Sequence, residues 1–325
     1  MLNRLRTLFS TPTGEASSSG SDASPSPLQI YAGYEPECAE LIERHALATP
    51  SLQNDHYVDG FGVKTRFDCV PFAEPETLNL SRLRRPLPDD GFHAEGIEYC
   101  ALLDAIERFA PAGEFTIVEA GAGWGPWLAM AGVICKRLQA PRVRLIGLEA
   151  SAERYALMEQ HLAFNQLTEA HGVAVSLFKG AAWVHDGVVH FPVSDVKDMG
   201  AAASQTAQDT DYRGLQMQSV PVPCTRLSTL VGADQKVDFL HVDIQGAEDS
   251  VIADHIDWLN ASVRSAMIAT HSRPIEGRLM ELLNANDWQL IREKPCRFDS
   301  GQCPSDWTAA TTVDGSQFWV NKVEL

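Results

Sequence analysis

The spacing of apolar positions changes several times along the chain, and each change marks an element. Cys38, Leu41, Ile42, His45 and Leu47 recur at helical spacing over 36–48, and Ile97, Leu102, Leu103, Ile106 and Phe109 do so over 94–109. Between them lie only short strand candidates, such as those within 57–69. From Phe115 the pattern changes: FTIVEAG is a short apolar run closing on a carboxylate and a glycine turn. PWLAM then opens a helix, proline being tolerated in the first turn. VRLIGLEA (143–150) leads to a helix through Tyr155, Leu157, Met158 and Leu162, and VAVSLFKGAAW (173–183) precedes a hairpin, GVVHFPV (187–193). VDFLHVDI (237–244) runs into a helix from about Ala247, and VRSAMIATH (263–271) into one over 275–286. WQLIRE and SQFWVNKV supply two closing strands. Strands alternating with helices predict a doubly wound α/β domain, a mostly parallel seven-stranded sheet covered on both faces.

Three stretches lack such a pattern. Residues 10–27 (STPTGEASSSGSDASPSP) hold too little apolar surface to offset the entropy of ordering them and read as a linker. Residues 1–9 (MLNRLRTLF) gather Leu2, Leu5, Leu8 and Phe9 near one helical face beside Arg4 and Arg6, so they read as a frayed terminus or a weak membrane-surface contact. Residues 194–219 are polar and aperiodic, and a loop this long reads as a lid or as disorder. The expected division is a disordered segment over 1–30, a helical cap over 31–112 beside the ligand site, and the main domain over 113–325.

Charge and cysteine content narrow the partners. A formal charge of -17, from 26 Lys and Arg against 43 Asp and Glu, opposes a partner bound through its phosphates, so nucleic acid is not expected. The 7 cysteines form an odd set with no CxxC pair, which points to reduced thiols rather than a disulfide framework or a zinc site. No apolar run is long enough for a spanning helix and no secretory signal is seen, so a cytoplasmic protein is expected; its oligomeric state is left open.

The chemistry centres on Glu119-Ala120-Gly121-Ala122-Gly123-Trp124-Gly125. Glycines at a strand-to-helix turn let the main chain approach a ligand closely, and the helix N-terminus behind them presents free N–H groups. Glu149, closing the next strand, stands where a carboxylate can accept both hydroxyls of a ribose. Dinucleotide sites favour G-x-G-x-x-G, whereas these glycines alternate as G-x-G-x-G, which fits a nicotinamide-dependent oxidoreductase badly.

This turn resembles the E/D-x-G-x-G-x-G motif of class I methyltransferases, and VDFLHVDIQGAEDSVI (237–252), behind VPVPCTRLSTLV, resembles the D-x-L-K-I-D-V-E-G-A-E signature of their FkbM family. The likeness covers about 115–295, with His241 where the motif has lysine and Gln245 where it has a carboxylate. It implies a Rossmann-like fold, S-adenosylmethionine as cofactor, and O-methylation of a glycan or natural-product hydroxyl. By the same likeness Gly121, Ala122, Gly123 and Gly125 would line the methionine part of the cofactor and Glu119 would hold its amino end. Glu149 with Ala150 would take the ribose, and Ala181, Ala182 and Trp183 would flank the adenine, though Trp183 reads equally as core.

Methyl transfer is an in-line displacement, so the protein aligns an oxygen and helps remove its proton. Asp243 is the first candidate for the reacting edge, as base or as a group orienting cofactor or substrate. His271, closing the fifth strand, is the second, as base or as a structural histidine. His241 lies within its strand and reads as packing, and Glu248 suits a helix N-terminus. Asp243 with Glu248 could offer oxygen ligands to a divalent ion, but such acidic pairs are common in this chain and no metal is expected. A non-catalytic protein that keeps the fold stands as the alternative, since Gln245 departs from the motif.

Overall fold

The computed structural model describes residues 36–71, 78, 80–84, 95–299 and 306–323. The 1–9 segment, the linker over 10–27 and parts of the expected cap lie outside them. Seven strands form the central sheet: β1 (Glu114–Ala120), β2 (Arg142–Glu149), β3 (Val173–Lys179), β4 (Phe239–Val242), β5 (Ser265–Thr270), β6 (Trp288–Lys294) and β7 (Gly315–Asn321). Their order is β6-β7-β5-β4-β1-β2-β3. Only β7 runs antiparallel, inserted between β5 and β6. From β1 the chain winds outward to β3, then returns to β4 and winds the other way. The reversal falls between β1 and β4, so their carboxyl ends border the crevice where open α/β sheets bind ligands.

The two faces follow from strand alternation. Phe115, Ile117, Val143, Leu145, Phe239, Met267 and Phe318 point into one core, with α1 (Pro36–His45), α2 (Gly96–Phe109), α3 (Pro126–Arg137) and α4 (Ala152–Phe164). Val118, Ala120, Ile146, Leu148, Leu240, Val242, Ala266 and Ile268 point the other way. Their partners are α5 (Glu248–Asp254), α6 (Ile256–Ser262) and α7 (Arg273–Ala285). Ile117 and Leu145 are wholly buried, and truncating either to alanine would cost about 2–5 kcal/mol. The cap segment shares this core through Ile97, Leu102, Leu103 and Ile106 of α2. Within it 51–52, 56–58 and 64–66 form an antiparallel sheet, and the candidate over 57–69 ends instead in a 3-10 turn, Phe67–Cys69.

Two local readings change. Cys38 of α1 and Cys100 of α2 are paired as a disulfide with Cα atoms 5.5 Å apart, so the expectation of reduced thiols fails for this pair. Cys69, Cys135, Cys224 and Cys296 are free and buried. The strand over 187–193 pairs antiparallel with 218–225, across the long polar segment. Pro221 and Pro223 hide that second strand in the sequence. They are accommodated because the third strand of this small sheet, 181–182, pairs only with Cys224 and Thr225, leaving an open edge beside both prolines. Among the described residues, no helix is long and apolar enough to cross a membrane.

Candidate functional site

The glycine turn joins the end of β1 to α3. Gly121, Gly123 and Gly125 have φ of 78°, 54° and 72°, left-handed values that favour glycine. At Gly121 the need is absolute, because a Cβ there would lie 1.7 Å from the Asp243 carbonyl oxygen. The ends of β1 and β4 therefore meet main chain to main chain. The turn is also tied to β2, since Gly121 and Ala122 N–H donate to the Leu148 carbonyl at 3.1 and 2.8 Å. Glu149 completes the tie, its carboxylate accepting from Gly123 N–H at 2.8 Å and Ser151 N–H at 2.7 Å. Burial pushes this carboxyl above its ordinary range, against the pull of Arg154 and the two N–H donors.

Beside this turn opens a cleft of about 600 Å³. Gly121, Gly123, Glu149, Ala150, Ala181, Ala182, Trp183 and Asp243 all line it. Trp183 joins both of its readings: it borders the cleft while packing against the cluster of Ala181, Val189 and Cys224. Ala122, Gly125 and Glu119 do not line the cleft. Ala122 and Glu119 are 1% exposed, and Gly125 instead supplies the left-handed N-cap of α3. Glu119 shares the strand parity of Phe115 and Ile117, which directs it beneath α3. There its carboxylate accepts Leu128 N–H at 3.0 Å and Trp127 N–H at 3.5 Å. Burial pushes it up to about 8, with His241 opposing. The carboxylate expected at a cofactor's amino end is here engaged at the start of α3.

Asp243, just past β4, borders both this cleft and a second cavity of about 970 Å³. One carboxylate oxygen lies 3.4 Å from His271 Nε2 and accepts from the Gln245 amide at 3.0 Å. Desolvation raises its carboxyl above the usual aspartate range, although His271 and His241 oppose this. His271 Nδ1 donates to Glu248 at 2.8 Å. A carboxylate therefore faces each ring nitrogen, an arrangement that favours the imidazolium. Burial lowers its pKa, but Glu248 and Asp243 outweigh this and hold it up at about 10. A ring so held has no lone pair to accept a proton. His271 so held is placed to orient Asp243.

Asp243, Glu248 and His271 bring one donor atom each within 4.8 Å of one another, a spacing that could hold a metal ion. Glu248, wholly buried, already accepts from Ile244 N–H at 3.1 Å, from Gly246 N–H at 3.0 and 3.1 Å, and from His271. That many donors fix it as an acceptor of N–H groups, and they draw its pKa down despite burial.

Sequence reasoning missed the residues that roof the cleft. Met199, Ala201 and Ala203, from the aperiodic segment, line it, and Tyr212 and Arg213 line the second cavity. Arg154, buried at 5% exposure, donates to the Asp198 carbonyl at 2.7 Å and so fastens that segment over the cleft. Tyr212 is the sole aromatic residue in 194–219, the one signal that could have marked it. Nothing in the pattern marks Arg154.

Comparison with known proteins supplies relatives. Residues 119–280 match a family model described as "Methyltransferase FkbM domain". A protein of Jannaschia sp. (strain CCS1), named "Putative methyltransferase", is 30% identical over 262 residues, covering 78% of this chain and 88% of its own length. The ribosomal protein L11 methylase of Lactobacillus delbrueckii subsp. bulgaricus is 14% identical, covers 69% of this chain and 79% of its own, and superposes with a TM-score of 0.33. The human methyltransferase 10 domain containing protein is 9% identical, with coverage of 70% and 82% and a TM-score of 0.37. These two likenesses are loose, and the strand order above carries the fold.

Proposed function

The chain belongs to the FkbM methyltransferase family, and on that premise we propose that it moves a methyl group from S-adenosylmethionine to a hydroxyl of a glycan or small-molecule acceptor, with Asp243 receiving the proton. One observation carries the reading: Asp243 stands where the glycine-turn cleft meets a second cavity, so a group held in each would meet at its carboxylate.

The cleft suits the cofactor. A Cβ at Gly123 would meet nothing nearer than Met199 Cε at 3.7 Å, so the bare turn leaves room for a ligand against its main chain. Glu149 has lone pairs beyond the two that its N–H donors use, and these suit ribose hydroxyls. Ala181, Ala182 and Trp183 supply a flat apolar wall for the adenine. Bound S-adenosylmethionine supplies an electrophilic methyl carbon on a sulfonium, and Asp243 offers the nearby negative charge. Since His271 and Gln245 anchor one oxygen of Asp243, the other is available to an acceptor hydroxyl. Its raised pKa makes it a better proton acceptor than an ordinary aspartate.

The acceptor cavity is lined by Trp124, Tyr212, Thr308 and Thr312 among others, a mixture of aromatic and hydroxyl groups suited to a polyol. Its one arginine, Arg213, is already held by Asp198 at 2.6 and 2.8 Å and by Asp211 at 2.7 Å, which disfavours an anionic acceptor. Calorimetric titration with S-adenosylmethionine, S-adenosylhomocysteine and NAD, followed by labelled methyl transfer to a panel of sugars, tests the reading. Binding of NAD alone would sink it. Cofactor binding without transfer to any acceptor would favour a binding protein that keeps the fold.

A further inference from the structure

Gln245 departs from the family motif, and its surroundings explain why an amide stands there. Its φ is 56°, a left-handed value uncommon outside glycine, so its side chain is aimed by a strained turn. It borders the first two cavities and a third of about 960 Å³ beside them. The amide N–H donates to Asp243 at 3.0 Å, while the amide oxygen accepts the Tyr212 hydroxyl at 3.3 Å. A carboxylate can only accept, so the family's residue could take the Tyr212 bond and not make the Asp243 one. Glutamine can do both at once, and it has the reach.

We propose that Gln245 is a positioning residue that couples the 194–219 segment to Asp243, so that seating the segment over the cleft and fixing the reacting carboxylate are one event. Tyr212 is the contact on the segment's side. The same segment is pinned at its other end by Arg154 on Asp198, and Arg213, next to Tyr212, ties the two ends together by bridging Asp198 and Asp211. Those ties hold it over the cleft, but among the described residues only the Tyr212-Gln245 bond joins it to Asp243. Because both partners share one amide, losing either bond frees the amide to leave the other.

The inference rests on the cofactor reading, and its test needs no identified acceptor. S-adenosylmethionine is a cation at sulfur and S-adenosylhomocysteine is neutral there, so the ratio of their affinities reports how Asp243 is presented. Hydrogen exchange of main-chain amides in 194–219, with S-adenosylhomocysteine bound, reports the seating of the segment. The variants are Tyr212→Phe, Gln245→Asn and the two combined. Asparagine tolerates the left-handed backbone, so the protein keeps its turn, but it is too short to bridge both partners. Each single variant should raise exchange in the segment about fivefold, the scale of one hydrogen bond, and the double variant should raise it no further. Gln245→Asn should also lower the affinity ratio about threefold, and Tyr212→Phe should lower it in the same direction.

Additive effects on exchange, or a ratio unmoved by both variants, would overturn the coupling. If neither cofactor binds the unaltered protein, the cofactor reading fails and takes this inference with it; binding with an unmoved ratio overturns the inference alone.

Discussion

His241 on β4 and His271 just past β5 are each set among carboxylates, yet only one of them meets a cavity. His241 Nε2 lies 3.2 Å from Glu98, with Glu119 in register on the neighbouring strand and Trp127 packed against the ring at 5.6 Å. Burial lowers its pKa but Glu98 and Glu119 more than compensate, so this ring is also held toward its charged form. It is 3% exposed and lines neither the cleft nor the second cavity. His271 is as buried, at 3% exposed, but its second carboxylate partner, Asp243, faces both. The residue chemistry is nearly the same in the two places. What differs is position along the strand: His241 lies inside the sheet, where parity sends it under α2 and α3, whereas His271 lies at the carboxyl edge, where strand ends open on the crevice.

The largest difference between the two networks is expected at Asp243. Asp243→Asn should lower methyl transfer by about 10²–10⁴-fold, the usual contribution of a general base, while leaving S-adenosylhomocysteine affinity nearly unchanged. Ordinary turnover in this variant would show that the open network has no catalytic part. In the closed network the readout is stability. His241→Met removes one partner of Glu98 and a positive charge near Glu119, and should lower unfolding free energy by roughly 2–3 kcal/mol in urea titrations. Affinity for S-adenosylhomocysteine should not follow; if it does, the two networks are not separate.

A third test reads a slope. His271 is held at about 10 in the folded protein against 6.5 for an unperturbed ring. A raised pKa means that the folded state binds this proton more tightly. The resulting stability is complete below about 6.5 and is lost as pH rises from there through about 10. Urea titrations of the unaltered protein and of His271→Gln should therefore converge as pH rises across that window. Parallel curves would mean that the ring is neutral when folded, and would reopen its candidacy as a base.

These contrasts also mark how far the sequence could be read. Short apolar runs closing on Glu119, Glu149 and Asp243 place the strands and the crevice, because a parallel strand buried on both faces must be continuously apolar. The glycine turn follows, since its left-handed backbone needs residues of that kind. Which way each carboxylate points is a finer matter. Glu119 belongs with Phe115 and Ile117 by the period of two, so its burial under α3 was legible in principle, but the motif drew attention to the turn instead. The Cys38-Cys100 pair, the Arg154 tie to Asp198 and the Tyr212 contact with Gln245 join residues 62, 44 and 33 positions apart. No local period records such pairings. Likewise, the charge on His271 comes from two carboxylates brought to it by folding.

The smallest expected effects come from Glu119 and Glu149, which extend the comparison to two buried carboxylates that each accept two main-chain N–H groups. Glu149 lines the cleft, and Glu119 does not. Glu149→Ala should weaken S-adenosylhomocysteine binding by about 1.5 kcal/mol, roughly tenfold, the scale of a lost charge-assisted hydrogen bond. Glu119→Gln should change that affinity by less than about twofold, because an amide can keep accepting an N–H at the start of α3 and nothing in the cleft is altered. Calorimetry on the two variants under one set of conditions decides the matter. Equal losses would return Glu119 to the cofactor's amino end, and the division between a closed and an open side of the sheet would then fail at its most buried carboxylate.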